Sequence, residues 1–244
     1  MSLYVYCLSD EVTEEALAGA RGLAGAPARL FARAGLAAVV SAFEEEPVPV
    51  TREHLLAHNR VNSQVLARTT PLPFRFGTLA TEGRLAAYVE ARAPALREAL
   101  AGVRGCVEMS VKLLWDEAGA RREAEARGDA AGAGAAEGQP AAAVGGGTAF
   151  LLAKRRELLG DEGLRRRAEE LAAWLERRTS DLARASDARV RPDESLVVRA
   201  AHLVGRGQVE EYRERLRALR AERPDLRFLT SGPWPPYSFG GIKN

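Results

Sequence analysis

The sequence predicts an α+β protein of two domains. Each is a variant of the ferredoxin-like arrangement, an antiparallel sheet with helices on one face, and an aromatic C-terminal tail follows the second. Three observations carry this expectation. Short β-branched and aromatic runs alternate with helical patterns in both halves. An Ala/Gly-rich stretch with almost no large apolar residue separates the halves. The second half reads α-β-β-α-β, one strand short of a complete split βαβ unit. The expected boundaries are 1–116 for the N-terminal domain, 117–147 for a flexible linker or insertion, 148–230 for the C-terminal domain and 231–244 for the tail.

LYVYCL (3–8) is apolar and aromatic with Ser9-Asp10 after it, so a strand is expected. TEEALAGARGL follows as a short helical stretch ending in glycines. ARLFAR (28–33) and LAAVVSAF (36–43) flank Ala34-Gly35, a hairpin signal. Thr51 can cap a helix from Arg52 to about Arg68. PLPFRFGTLA (71–80) reads as a short strand broken by glycine, with Phe74 and Phe76 on one face and Arg75 on the other. A second helix is expected from about Thr81 to Ala101, kinked or broken at Pro94. CVEMSVKLLW (106–115) alternates as a half-buried strand and fits either sheet.

In the second half, a long helical pattern over about 148–184 is expected to break near Gly160. ASDARVR (185–191) and SLVVRAAHLV (195–204) form a hairpin around Pro192-Asp193-Glu194. A helix over about 206–222 and a strand at 225–231 complete the order.

The 244 residues carry a net charge of +2, with 46% hydrophobic and 28% charged residues, which is the profile of a soluble globular protein. The arginines are interleaved with glutamates and lack a stacking platform, so no nucleic-acid partner is expected. No run of eighteen apolar residues exists, so no membrane insertion is expected, and no signal peptide is evident. Cys7 and Cys106 lie in apolar strand-like runs and read as reduced, buried thiols of a cytoplasmic protein.

Candidate chemistry is sparse. His54 and His58 stand four apart on one predicted helix face, with Asn62 extending it, which is a spacing that can present two imidazoles to a metal. The order EHLLAH is not that of a zinc protease, and a pair of partly exposed histidines is the simpler reading. Neither cysteine has a histidine partner, and no nucleophile elbow or phosphate loop is present. Glu108 and Lys112 share the polar face of one strand and read as a surface ion pair, while Glu108 is also the candidate partner of Arg75 should that arginine be buried. No catalytic, metal or cofactor residue is assigned, and the expected cofactor set is empty. The competing reading is a small metal-dependent or small-molecule enzyme using His54 and His58.

Five stretches in this order are more specific: LYVYCL, LPFRFGT (72–78), GCVEMSVKL (105–113), GTAFLLAKRRE (147–157) and SGPWPPYSF (231–239). Together they resemble the gas vesicle protein F/L family (GvpF/GvpL) over all but the Ala/Gly-rich segment. Phe150 and Met109 stand where the family pattern is more often Tyr and aromatic. The resemblance implies a non-enzymatic accessory protein of gas vesicle assembly, cytoplasmic or a minor vesicle component. It implies that the protein binds the small hydrophobic shell protein GvpA during nucleation or growth and limits its aggregation, alongside other accessory proteins. It also implies two α+β domains.

The tail then has two readings. Pro235-Pro236 favours an extended polyproline backbone from which Trp234, Tyr237 and Phe239 project. The rings either clamp the protein's own domains together or form a docking epitope for the shell protein or another accessory protein. Phe74, Arg75 and Phe76 are the second candidate partner-binding or clamp stretch.

Overall fold

The computed structural model describes residues 2–115, 146–193 and 196–241. The predicted linker lies outside the described residues except for Gly146 and Gly147, which open a helix. The described chain forms two sheets, each packed with helices, and divides into two compact units. The first is built from Met1–Glu108, Leu203–Arg206 and Gly232–Asn244, and the second from Met109–His202 and Gly207–Ser231. The divide therefore falls within three strands, and the tail belongs with the first unit.

The sheet of the first unit is organised around β1 (Ser2–Ser9). It pairs antiparallel with β3 (Leu36–Ala42) on one side and with β4 (Leu72–Pro73) and β5 (Leu79–Thr81) on the other, while β2 (Arg29–Arg33) lies outside β3. The order β2-β3-β1-β4 is that of a ferredoxin-like sheet. Two short 3-10 turns, Glu15–Leu17 and Leu23–Gly25, stand where the first helix of that arrangement belongs. The β2–β3 hairpin turns on Ala34 and Gly35, both with positive φ (49° and 71°), the conformation that matches the twist of the flanking strands. The β1–β3 register shifts between Val5 and Cys7, so Tyr6 bulges. Tyr4 and Tyr6, two apart on the strand, join one cluster with Val39, Ala57, Val61 and Val65.

Helix α1 (Arg52–Leu66) is capped by Thr51, whose side chain accepts from the His54 N–H at 3.1 Å. Its buried positions Ala57, His58, Val61, Asn62 and Val65 form one stripe facing β1. Helix α2 (Glu82–Val103) starts at Thr81 and continues through Pro94 as one element, without the break that the proline predicts. Its stripe Leu85, Val89, Leu96 and Leu100 is buried, and burial of that face outweighs the one backbone hydrogen bond that proline removes. β1 is buried from Leu3 to Ser9, as a central strand must be when cover comes from both faces.

In the second unit β6 (Cys106–Trp115), which the sequence assigns to neither sheet over the other, supplies the strand missing from the α-β-β-α-β order. It is followed by α3 (Gly146–Thr179), β7 (Ala183–Asp193), β8 (Leu196–Gly205), α4 (Val209–Glu222) and β9 (Leu226–Trp234). The antiparallel sheet runs β7-β8-β6-β9, again the ferredoxin-like order. α3 is a single helix across Gly160 and Gly163, without the predicted break, and ends before Leu182. Ala168, Leu171 and Leu175 bury its apolar stripe. From α4, Tyr212, Leu216 and Leu219 point inward. The Tyr212 hydroxyl meets Nδ1 of the fully buried His202, and burial pulls that imidazole's pKa down to about 4.

Candidate functional site

The tail and one of the two central histidine candidates meet in the first unit. His58 and Asn62 lie four apart on α1, so both side chains leave the same face. His58 is 3% exposed and enclosed by the rings of Tyr4, Tyr6, Phe76 and Tyr237, with centroids 5.7, 5.9, 5.8 and 6.3 Å away. The expectation of partly exposed histidines fails for His58, because α1 turns that residue into the core. His54 lies at the edge, its ring against Phe43 and its Nδ1 2.9 Å from the Pro49 carbonyl. The two imidazoles are therefore engaged with different neighbours. Among the described residues no group of three His, Cys, Asp or Glu side chains can hold a metal ion.

A continuous hydrogen-bond chain runs through His58. The Gly77 N–H donates to the Tyr4 hydroxyl at 3.1 Å, and Gly77 has φ +86°, a conformation that glycine alone adopts without strain. The Tyr4 hydroxyl lies 2.9 Å from His58 Nδ1, and His58 Nε2 lies 2.9 Å from the Tyr237 hydroxyl. Tyr4 is completely buried, and its hydroxyl, which accepts from the Gly77 N–H, shares a hydrogen bond with His58 Nδ1. The Tyr237 hydroxyl accepts from Asn62 Nδ2 at 3.1 Å, and that amide nitrogen also lies 3.0 Å from His58 Nε2. Asn62 Oδ1 is buried and without a hydrogen-bond partner among the described residues. Burial lowers the His58 pKa to about 4 and pushes the hydroxyls of Tyr4 and Tyr237 and the thiol of Cys7 far up. At neutral pH these groups are all uncharged, and they form a neutral polar chain. Cys7 and Cys106 are both free and buried.

A second anchor comes from β6. Glu108 is 7% exposed, where the strand alternation predicts a solvated face and an ion pair with Lys112. One carboxylate oxygen accepts from the Ser238 N–H at 2.7 Å, and the other accepts from the Ser238 hydroxyl at 3.1 Å. Arg75 is exposed, so the candidate pairing of a buried Arg75 with Glu108 is also corrected: the carboxylate faces the tail. Phe74 and Phe76 do not share one environment. Phe74 is buried beside Tyr88, with its N–H donating to the Tyr6 carbonyl at 2.9 Å, while Phe76 packs on Tyr4 and His58.

The tail is coiled and not extended. After the buried Pro235 and Pro236 it coils into a turn, with the N–H groups of Phe239 and Gly240 donating to the Pro236 carbonyl at 3.2 and 2.9 Å. A Cβ on Gly240 would lie 3.3 Å from that carbonyl and 3.5 Å from Leu72 Cδ2, so the turn closes tightly over β4. Two rings stay partly outside: Trp234 is 38% and Tyr237 is 40% exposed. Val50, Leu55 and Leu56, at the start of α1, are 77%, 39% and 50% exposed, and Leu55 shares the helix stripe of His58 and Asn62. The tail rings and α1 are visible from sequence. Tyr4, Glu108 and Ser238 carry no such signal as parts of the tail site, since those contacts span 130 residues or more or pass through His58.

The profile of the gas vesicle synthesis protein GvpL/GvpF family matches residues 2–240. The chain belongs to this family. It is 29% identical to gas vesicle protein L of a Streptomyces species, over 98% of this chain and 92% of the relative. It is also 29% identical to gas vesicle protein L2 of Halobacterium salinarum, over 97% of this chain and 90% of that protein. Its fold matches the crystal structure of GvpF from an Anabaena species, with TM-score 0.74 and 21% identity over 100% of this chain and 97% of that one. GvpF from Microcystis aeruginosa gives TM-score 0.73 and 20% identity over 99% of each chain. Membership in GvpL/GvpF places the chain in gas vesicle assembly. Among the described residues no helix is long and apolar enough to cross a membrane.

Proposed function

We propose that this chain is a non-enzymatic assembly factor that binds the small hydrophobic shell protein GvpA and keeps it from aggregating before it joins the growing vesicle. A subunit destined to line a gas space exposes an apolar face before assembly, and a partner that covers that face reversibly must offer apolar contacts without being aggregation-prone itself. The observation that supports this reading most is the set of partly exposed apolar side chains in the first unit: Val50, Leu55, Leu56, Trp234 and Tyr237. Tyr237 is held by His58 and Asn62, so binding would order few new rotamers there. Pro235, Pro236, Phe239, Phe74, Arg75 and Phe76 are proposed as further members of the partner-binding stretches. Such a protein works in the cytoplasm and travels as a minor component with the vesicle, in contact with other accessory proteins.

The test is suppression of aggregation. Purified shell protein diluted from denaturant scatters light as it aggregates. An equimolar amount of this chain should suppress most of that signal, and the variant Leu56→Ser/Trp234→Ser, folded by circular dichroism, should suppress little. Equal suppression by both proteins would rule this surface out as the binding site.

A further inference from the structure

We propose that the helix-free face of the second unit's sheet is a docking surface for an acidic amphipathic segment of a partner protein, held by Lys112, Arg199 and Arg227 beside Leu114 and Leu229. Contacts tell the two faces of this sheet apart. His202 of β8 meets Tyr212 of α4, and Phe228 of β9 meets the Trp174 ring of α3, so these side chains mark the face under the helices. Successive side chains of a strand point to opposite faces. Arg199, three positions from His202, and Arg227 and Leu229, on either side of Phe228, therefore stand on the other face. On β6 the buried Met109, Val111 and Leu113 alternate with the half-buried Lys112 and Leu114. Arg199 and Arg227 are exposed, and Leu229 is 41% exposed.

The charges on that face point to the ligand. β6 and β8 are hydrogen-bonded neighbours, and the Arg206 N–H donates to the Gly105 carbonyl at 3.0 Å where β8 ends and β6 begins. Seven residues onward from Gly105 is Lys112, and seven residues back from Arg206 is Arg199, so the antiparallel register sets these two cations opposite each other. The burial alternation agrees, since it puts both on the face away from the helices. Like charges directly opposite destabilise a sheet. Arg227 adds a third cation on β9, the other neighbour of β6. None of the three has an ion pair or a hydrogen-bonded side-chain partner among the described residues. Other arginines of this unit are neutralised in place: Arg215 by Asp181, Arg223 by Asp225 and Arg189 by Asp187. Within the second unit no carboxylate stands on the open face of β6, β8 or β9. A face that keeps a repelling pair without an acid of its own is complementary to carboxylates brought by a partner. Leu114 and Leu229 offer that partner aliphatic contacts, and these strands present no aromatic ring on this face for base stacking, which favours a protein segment over a nucleic acid. The surface is separate from the apolar side chains of the first unit, and the test below contains no shell protein.

The probe is a fluorescein-labelled helical peptide of glutamate and leucine, about 18 residues long, with its leucines on one face. Fluorescence anisotropy with the full chain should show binding that weakens roughly tenfold between about 50 and about 500 mM NaCl. The variant Lys112→Gln/Arg199→Gln/Arg227→Gln removes the charges and keeps polar side chains. It should bind the peptide roughly tenfold more weakly, with an unchanged circular dichroism spectrum. A second variant reads the repulsion itself. Lys112→Glu sets an opposite charge across from Arg199, so its urea midpoint should rise while its affinity for the peptide falls. Equal binding by the triple variant, or no binding by the unmutated chain, would overturn the proposal. Tighter binding of an oligouridylate of the same net charge would overturn it in favour of a nucleic acid. A lower urea midpoint for Lys112→Glu would overturn the cross-strand repulsion on which it rests.

Discussion

His58 and His202 occupy comparable niches in the two units. Each is almost completely buried, each meets a tyrosine hydroxyl through Nδ1, and each has its pKa lowered to about 4 by burial. They differ in reach. His202 meets Tyr212, ten residues away, and that bond secures a strand to the helix that follows it. His58 meets Tyr4, 54 residues away, and its second nitrogen reaches Tyr237, 179 residues away. The same chemistry therefore serves local packing in one unit and retention of the chain end in the other. A perturbed pKa marks burial, while the identity of the partner tells what burial is for.

The largest expected effect treats the two histidines alike. An imidazole with a folded pKa near 4 and an unfolded value near 6.5 contributes stability that is complete above pH 6.5 and is lost as pH falls toward 4. Each contributes about 3 kcal/mol across that window. Urea midpoints measured at pH 7.5, 5.5 and 4 should fall steadily, and the His58→Gln and His202→Gln variants should each lose about half of the slope. If one variant removes all of it, the parallel between the two sites is broken.

The hydroxyls come next. Tyr4→Phe leaves the buried His58 Nδ1 without its partner and frees the N–H of the exposed Gly77, and should cost about 2 kcal/mol of unfolding free energy. Tyr212→Phe orphans one nitrogen of His202 and should cost less, about 1–2 kcal/mol. Chemical denaturation of the two variants side by side ranks them. Tyr237→Phe should cost about 1 kcal/mol, since its ring is 40% exposed and water reaches the freed groups. Its distinguishing effect is on the tail: chymotryptic cleavage after residue 237 and after Phe239 should accelerate, while cleavage elsewhere keeps its rate. The smallest effect on stability belongs to Leu56→Ser, within about 0.5 kcal/mol, because that side chain is half exposed already.

Much of the element order is legible in the sequence. Thr51 and Thr81 announce two helix starts, Ala34-Gly35 announces the hairpin, and period-2 alternation announces β6. Local pattern fails where tertiary packing decides. Pro94 lies inside a helix whose buried stripe runs past it, and Gly160 lies inside α3. Glu108 sits at a position that alternation marks as solvated, and it is buried because the tail returns to cover it. His58 reads as a surface residue of an amphipathic helix, since nothing near it in sequence shows that four aromatic rings converge on it. The fold of each half rests on short-range pattern. The site rests on contacts between residues 54 to 179 positions apart, which one sequence does not reveal.

The central claim is that this GvpL/GvpF-family chain holds the shell protein in solution and that the docked tail takes part. The most direct measurement is co-purification of the shell protein, expressed together with this chain, with and without residues 231–244. Both forms are verified as folded by circular dichroism. Soluble shell protein should be retained by the full chain and largely lost from the shortened one. Equal retention by both would contradict the role of the tail, and no retention by either would contradict shell-protein binding itself.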